Sequence, residues 1–208
     1  MRKFVFLGLT LLSSLAFAGE QTRPTTPFTS IRTQGALIVE VEVGSAYSIK
    51  VKGDDKFLAK IVTDISGDEL LINYKEKNNN NVHLSDDLKV IVTLPALSKF
   101  KMEGVGMTTV NNISGNYFEL AYEGVGVLKM KGKVANFKLR AHGVGHVDAK
   151  GLIAENVDAV VEGVGSVDVY ASEKLKANVN GIGSLNYFGN PKSINKTADG
   201  IGSVKAGK

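Results

Sequence analysis

From residue 99 onward, apolar and polar residues alternate at period two, and β-branched residues are frequent in the apolar positions. That alternation predicts half-buried strands. The strands are broken by one short motif, which recurs as Gly104-Val105-Gly106, Gly124-Val125-Gly126, Gly143-Val144-Gly145, Gly163-Val164-Gly165, Gly181-Ile182-Gly183 and Gly200-Ile201-Gly202. The spacings are 20, 19, 20, 18 and 19 residues. A repeat this short cannot bury its own apolar face, so successive units must stack. The expectation is an all-β, single-stranded parallel β-helix with about 19–20 residues per coil, turned at glycine corners that tolerate close backbone approach.

Aligning the units on the first glycine sharpens this. Two places before it stand Met102, Tyr122, Ala141, Val161, Val179 and Ala198, and four places before it Phe100, Leu120, Leu139, Ala159, Ala177 and Lys196. Four places after it stand Thr108, Leu128, Val147, Val167, Leu185 and Val204. These columns predict the inward faces, and the central Val or Ile of each corner is read as inward too. Five places before the glycine the residues run Lys99, Glu119, Lys138, Asp158, Lys176 and Asn195. Vertical neighbours about 4.8 Å apart favour opposite charges and disfavour like ones. The alternation therefore fixes the register of coil on coil.

Residues 28–98 carry less regular strands, at 36–43, 47–52, 69–74 and 88–95, and form one continuous domain with 99–208. Residues 56–66 have room for a bulged strand, and the Asn-rich stretch from Lys75 to Asn81 reads as a surface loop. At the far end, Lys196, Lys205 and Lys208 fit either a coil protected from end-to-end stacking or a frayed last turn.

Residues 1–18 have the three-part layout of a Sec signal peptide: a basic head at Arg2-Lys3, an apolar run and a closing Ala16-Phe17-Ala18. Residues 19–27 read as a flexible leader. An exported chain, periplasmic or secreted to the cell surface, with no membrane span in its mature part is expected. Of 208 residues 23 are Gly, 4 are Pro and none is Cys, so packing rather than disulfides must hold the fold. Without residues 1–18 there are 23 basic and 21 acidic side chains, which gives no argument for nucleic acid.

The glycine-corner series, the Leu94-Pro95-Ala96-Leu97 that leads into Phe100, and the Phe28-Thr29-Ser30-Ile31 opening resemble the putative auto-transporter adhesin, head GIN domain family. The resemblance covers roughly residues 28–207. It departs in the motif that names the family, Gly-Ile-Asn, where this chain has Gly-Val-Gly or Gly-Ile-Gly. It implies a right-handed single-stranded β-helix, exported by bacteria, and supplies no catalytic residues. No C-terminal run of amphipathic membrane strands is present that could form a translocator barrel.

The chemistry-bearing column lies immediately before each glycine: Glu103, Glu123, His142, Glu162, Asn180 and Asp199. Glu103 and Glu123 fall on adjacent strands, where two carboxylates repel unless a cation or proton intervenes, and His142 can pair with Glu123 or Glu162. This ridge of Glu103, Glu123, His142 and Glu162 is the candidate binding site, for a cation or a sugar, against the plainer reading of a solvated polar column. His142 and His146 face apart around a corner, so no metal or cofactor is expected. The phosphate-loop fingerprint and an activated nucleophile are both missing. The sequence favours a non-enzymatic β-helix that presents an extended surface to a glycan, an envelope component or another protein. Its rival is a lyase or hydrolase acting on polysaccharide at the Glu ridge. Such enzymes build clefts from long insertions between coils, and coils of 18 to 20 residues leave no length for them.

Overall fold

The computed structural model describes residues 19–44, 46–75 and 88–208. The signal-peptide expectation and all but Lys75 of the Asn-rich loop lie outside the described residues. Fourteen elements follow in chain order: β1 Gly19–Arg23, β2 Ser30–Val43, β3 Ser48–Gly53, α1 Asp55–Leu58, β4 Ile61–Ser66, β5 Glu69–Tyr74, β6 Lys89–Leu94, β7 Lys99–Tyr122, β8 Val125–Ala141, β9 Val144–Val161, β10 Val164–Gly181, β11 Ser184–Phe188, β12 Ser193–Gly200 and β13 Ser203–Ala206. All 13 strands belong to one sheet, wound as a β-solenoid of about 5 turns.

The regular half is built as the alternation predicts. β7 to β10 pair in parallel, each one coil from the next. Thr108, Leu128, Val147, Val167, Leu185 and Val204 stand in direct register and are all buried. On the opposite wall Leu120, Leu139, Ala159 and Ala177 do the same. Each large aliphatic or aromatic side chain buried this way contributes about 1.5–3 kcal/mol. The charge column also holds its register: the Glu119 amide bonds to the Ser98 carbonyl at 2.9 Å, and Glu119 pairs with Lys138, Lys138 with Asp158, and Asp158 with Lys176. Bulges between Val110 and Ile113, Lys129 and Lys131, and Val169 and Tyr170 interrupt the ladder where coils of unequal length meet.

The N-terminal half departs from the regular coils in three ways. First, its layers are not stacked in chain order. β2 lies between β7 on one edge and β5 with β6 on the other, all parallel, so the chain steps outward past β2 and then returns. Second, the supposed flexible leader contributes β1, antiparallel to β3, which is itself antiparallel to β6. Glu20 on β1 reaches Lys50 at 3.0 Å and Lys52 at 2.8 Å, so a short charged strand closes this edge and blunts further pairing. Third, residues 56–66 are split between α1, capped by the Asp54 side chain, and β4, which pairs antiparallel with β5. Burial of Leu58 docks the short helix on the core.

At the other end β12 is exposed along its whole length and pairs with β10. Lys196 occupies the inward column there. Its Nζ lies 3.4 Å from the Val204 carbonyl and 5.9 Å above the Tyr187 ring. The long alkyl stem thus lies over the apolar end of the tube while the charge stays near water.

A candidate binding ridge along the glycine corner

The corners exist because the two glycine places of most repeats have no room for a side chain. At Gly145, where φ is +142°, a Cβ would overlap the Gly126 carbonyl oxygen of the coil next to it. At Gly143 a Cβ would run into the ring of Tyr122, which passes beneath. The Tyr122 hydroxyl faces the carbonyl oxygens of Gly126 and Val144, at 3.1 and 3.0 Å, and donates between them. Burial pushes the phenol pKa up, so it remains a donor.

This geometry overturns the inward reading of the central residue. Val105, Val125, Val144 and Val164 are 41%, 48%, 49% and 48% exposed, and Ile182 and Ile201 are 61% and 84% exposed. Parity explains it. Inward columns stand two and four places before and four places after the first glycine, so both glycines take inward slots and the residue between them must face out. Val105, Val125, Val144 and Val164 pair rung to rung, and each shields part of its neighbours. The result is an aliphatic ladder about 24 Å long over its six rungs.

The charged ridge runs beside that ladder. Glu103 receives Arg32 Nε at 2.5 Å, Lys101 Nζ at 2.6 Å and Gln34 Nε2 at 2.8 Å. Burial opposes its ionisation, but the bonds from Arg32, Lys101 and Gln34 outweigh that and hold the carboxyl at about 2. Lys101 also lies 3.2 Å from Glu123, so one ammonium intervenes between the two carboxylates. The His142 Nε2 is 2.8 Å from Glu162, which also accepts from Asn180 at 3.4 Å. The four candidate residues therefore share one ridge, but each is engaged by a partner. Glu103, held low by its partners, suits a fixed polar rim better than proton transfer, which needs a carboxyl held near the working pH.

Arg32 and Gln34 were not legible as members of this ridge. Their signal was Gly35, which pairs with Gly104 and makes Gln34-Gly35-Ala36-Leu37 a degenerate corner in register with Glu103-Gly104-Val105-Gly106. Around the corner, His146 Nδ1 lies 2.6 Å from Ser166 Oγ, and its Nε2 is 3.7 Å from Asp168. Among the described residues no group of three His, Cys, Asp or Glu is placed to hold a metal ion. None of their helices is long and apolar enough to cross a membrane.

Three solved structures share the architecture. A putative adhesin from Bacteroides fragilis NCTC 9343 superposes with a TM-score of 0.75 at 21% identity, covering 92% of this chain and 97% of that one. A putative lipid binding protein from Parabacteroides distasonis ATCC 8503 gives 0.51 at 18% identity, over 93% and 98% of the two chains. A putative adhesin from Parabacteroides merdae ATCC 43184 gives 0.50 at 15% identity, again over 93% and 98%. At these identities the likeness is one of fold. No curated protein matches the chain. Residues 27–191 match the family described as putative auto-transporter adhesin, head GIN domain, and this β-solenoid with its glycine-corner ridge is a member of that family.

Proposed function

We propose that the chain is an exported, non-enzymatic β-solenoid with an adhesin-like or envelope-associated role, binding a partner along its corner. The observation that carries this is the exposed aliphatic ladder of Val105, Val125, Val144, Val164, Ile182 and Ile201. Contiguous apolar surface on a folded protein marks interaction sites, whereas single exposed aliphatics do not. The polar rim at Glu103, Glu123, His142 and Glu162 supplies orientation beside it. A rigid row of equal rungs adds many weak contacts into one useful affinity. The family description, an adhesin head, is in keeping with this reading.

The rival polysaccharide lyase or hydrolase draws little support. A general acid for glycoside chemistry needs a carboxyl with a raised pKa, and Glu103 is held at about 2. The test uses immobilised glycans and purified envelope fractions with wild type, a Val125→Ser/Val144→Ser/Val164→Ser variant, and a Glu103→Ala/Glu123→Ala/Glu162→Ala variant. Retention of wild type and loss in the valine variant is the expected result. New reducing or unsaturated sugar ends released by wild type would overturn the non-enzymatic assignment.

A further inference from the structure

Seven places before the corner glycine, Tyr117, Asn136 and Asn156 stand in register on three successive rungs. Two places further along, Lys138 and Asp158 are paired in the same way. Together with the backbone at Phe137 and Val157, whose side chains turn into the core, they line a shallow cleft of about 230 Å³. Drug-sized pockets hold roughly 300–1,000 Å³, so this one suits a single small ring.

The walls are ordered before anything binds. Tyr117 is 44% exposed, and its hydroxyl donates to Glu119 at 2.8 Å, which tethers the ring. Asn136 donates to the Asn116 carbonyl at 3.1 Å, and Asn156 donates to the Asn136 side-chain oxygen at 3.1 Å. Those bonds use one N–H of each amide. The second N–H of each, and the Asn156 side-chain oxygen, have no protein partner among the described residues. Lys138 and Asp158 are held only loosely, by Glu119 at 3.8 Å and Lys176 at 3.4 Å. The cleft thus combines a fixed aromatic face with donors and acceptors in balance. Its one ammonium and one carboxylate compensate each other, which argues against an ionic ligand.

We propose that this cleft is a subsite for one neutral pyranose ring. The C–H face of the sugar lies on Tyr117, and its hydroxyls bond to Asn136, Asn156, Lys138 and Asp158. Rigid aromatic faces suit such a ring because little conformational freedom is lost on contact. The assignment goes beyond the corner ladder, from which the cleft is separated along the strand, and stands or falls apart from it.

Saturation-transfer NMR tests it, with D-glucose, D-galactose, D-mannose and N-acetyl-D-glucosamine at millimolar concentration as probes, and D-glucuronate as the charged control. At least one neutral sugar receives saturation from wild type. Tyr117→Ala and Asn156→Ala each weaken its apparent Kd by about tenfold or more, the equivalent of losing roughly 1.4 kcal/mol of contact. Tyr117→Phe keeps the ring and stays within about threefold of wild type. Retention of Tyr117→Ala on the purified envelope fractions is read alongside, so failure of the corner surface and failure of this subsite are told apart. No transfer to any of the four neutral sugars, transfer unaffected by Tyr117→Ala in a variant with native circular dichroism, or stronger transfer to glucuronate would each overturn the proposal.

Discussion

The Arg32 guanidinium meets the Glu103 carboxylate at 2.5 Å although 71 residues of chain separate them. The contact forms because β2 and β7 are adjacent rungs, with Arg32 opposite Lys101 and Gln34 opposite Glu103. It ties the displaced N-terminal layer to the regular coils. Glu103 is normally ionised above about 4.5, and in the fold its pKa lies at about 2. The ionised form is thus favoured in the folded state, and the stability it gives is complete above pH 4.5 and lost as pH falls toward 2. Allowing for partial solvent screening, that contribution is about 1–2 kcal/mol. Glu103→Gln lowers stability by this amount at pH 7 and flattens the loss between pH 4.5 and 3. Urea unfolding of both proteins at these pH values measures it, and parallel pH profiles would contradict it.

The corner is tested by two valines three places apart. Val144 faces water and Val147 is buried. Val144→Thr keeps the β-branched shape and costs under about 0.5 kcal/mol, as surface changes do. Val147→Thr buries a hydroxyl with no partner and costs about 1–3 kcal/mol. Equal costs in thermal or urea unfolding would mean the parity of the corner is misplaced.

Much of this architecture was legible from the chain. Where coils repeat, period-two alternation and the Lys99–Glu119–Lys138 column specify which residues face in and which rungs touch, because stacked strands force equal spacing to mean adjacency. The orientation of Val105 and its equivalents is also contained in that alternation, because position and not hydrophobicity decides the face of a residue at an odd place. Residues 19–66 were harder for a physical reason. β1, β3 and β4 are antiparallel closures, and their positions are set by the edge they cover rather than by any repeat. Of the ridge, the shared column was readable and the partners were not. Lys101 faces out from its own strand beside Glu103, but Arg32 and Gln34 arrive from a layer whose place in the stack no spacing reveals.

Close backbone approach and positive φ make the second corner glycine hard to replace at Gly106, Gly126, Gly145 and Gly165. Gly165→Ala places a methyl group against the Gly145 carbonyl oxygen, at a φ of +137° that side chains rarely adopt. Neither coil can move away without breaking ladder bonds on both walls. The expected loss is about 3 kcal/mol or more, in the range reserved for strained backbone sites and core defects. Gly183→Ala in the next corner costs less, because its nearest neighbours, Val161 Cγ1 at 3.0 Å and the Gly163 carbonyl oxygen at 3.1 Å, leave more room and its φ is not positive. Denaturant midpoints for the two variants, compared at equal m-value, decide the ranking.

The open rung at β12 sets the last expectation. Its inward column ends in Lys196, where the preceding coils carry Ala177 and Ala159. An ammonium there cannot be buried by a second molecule without losing its hydration, which costs several kcal/mol for an unpaired charge. The alkyl stem meanwhile covers the core that Ala would leave open. Lys196→Val removes that charge from an exposed strand with free backbone groups, the arrangement that invites edge-to-edge pairing. β1 and β4 close the other end with antiparallel strands, so pairing of two β12 edges gives a closed dimer and not a fibre. Sedimentation velocity over a hundredfold concentration range is expected to show a monomer–dimer equilibrium for Lys196→Val, shifted at least about tenfold toward dimer relative to wild type. An unshifted equilibrium would assign Lys196 to local packing alone, and higher oligomers would place the reactive edge elsewhere.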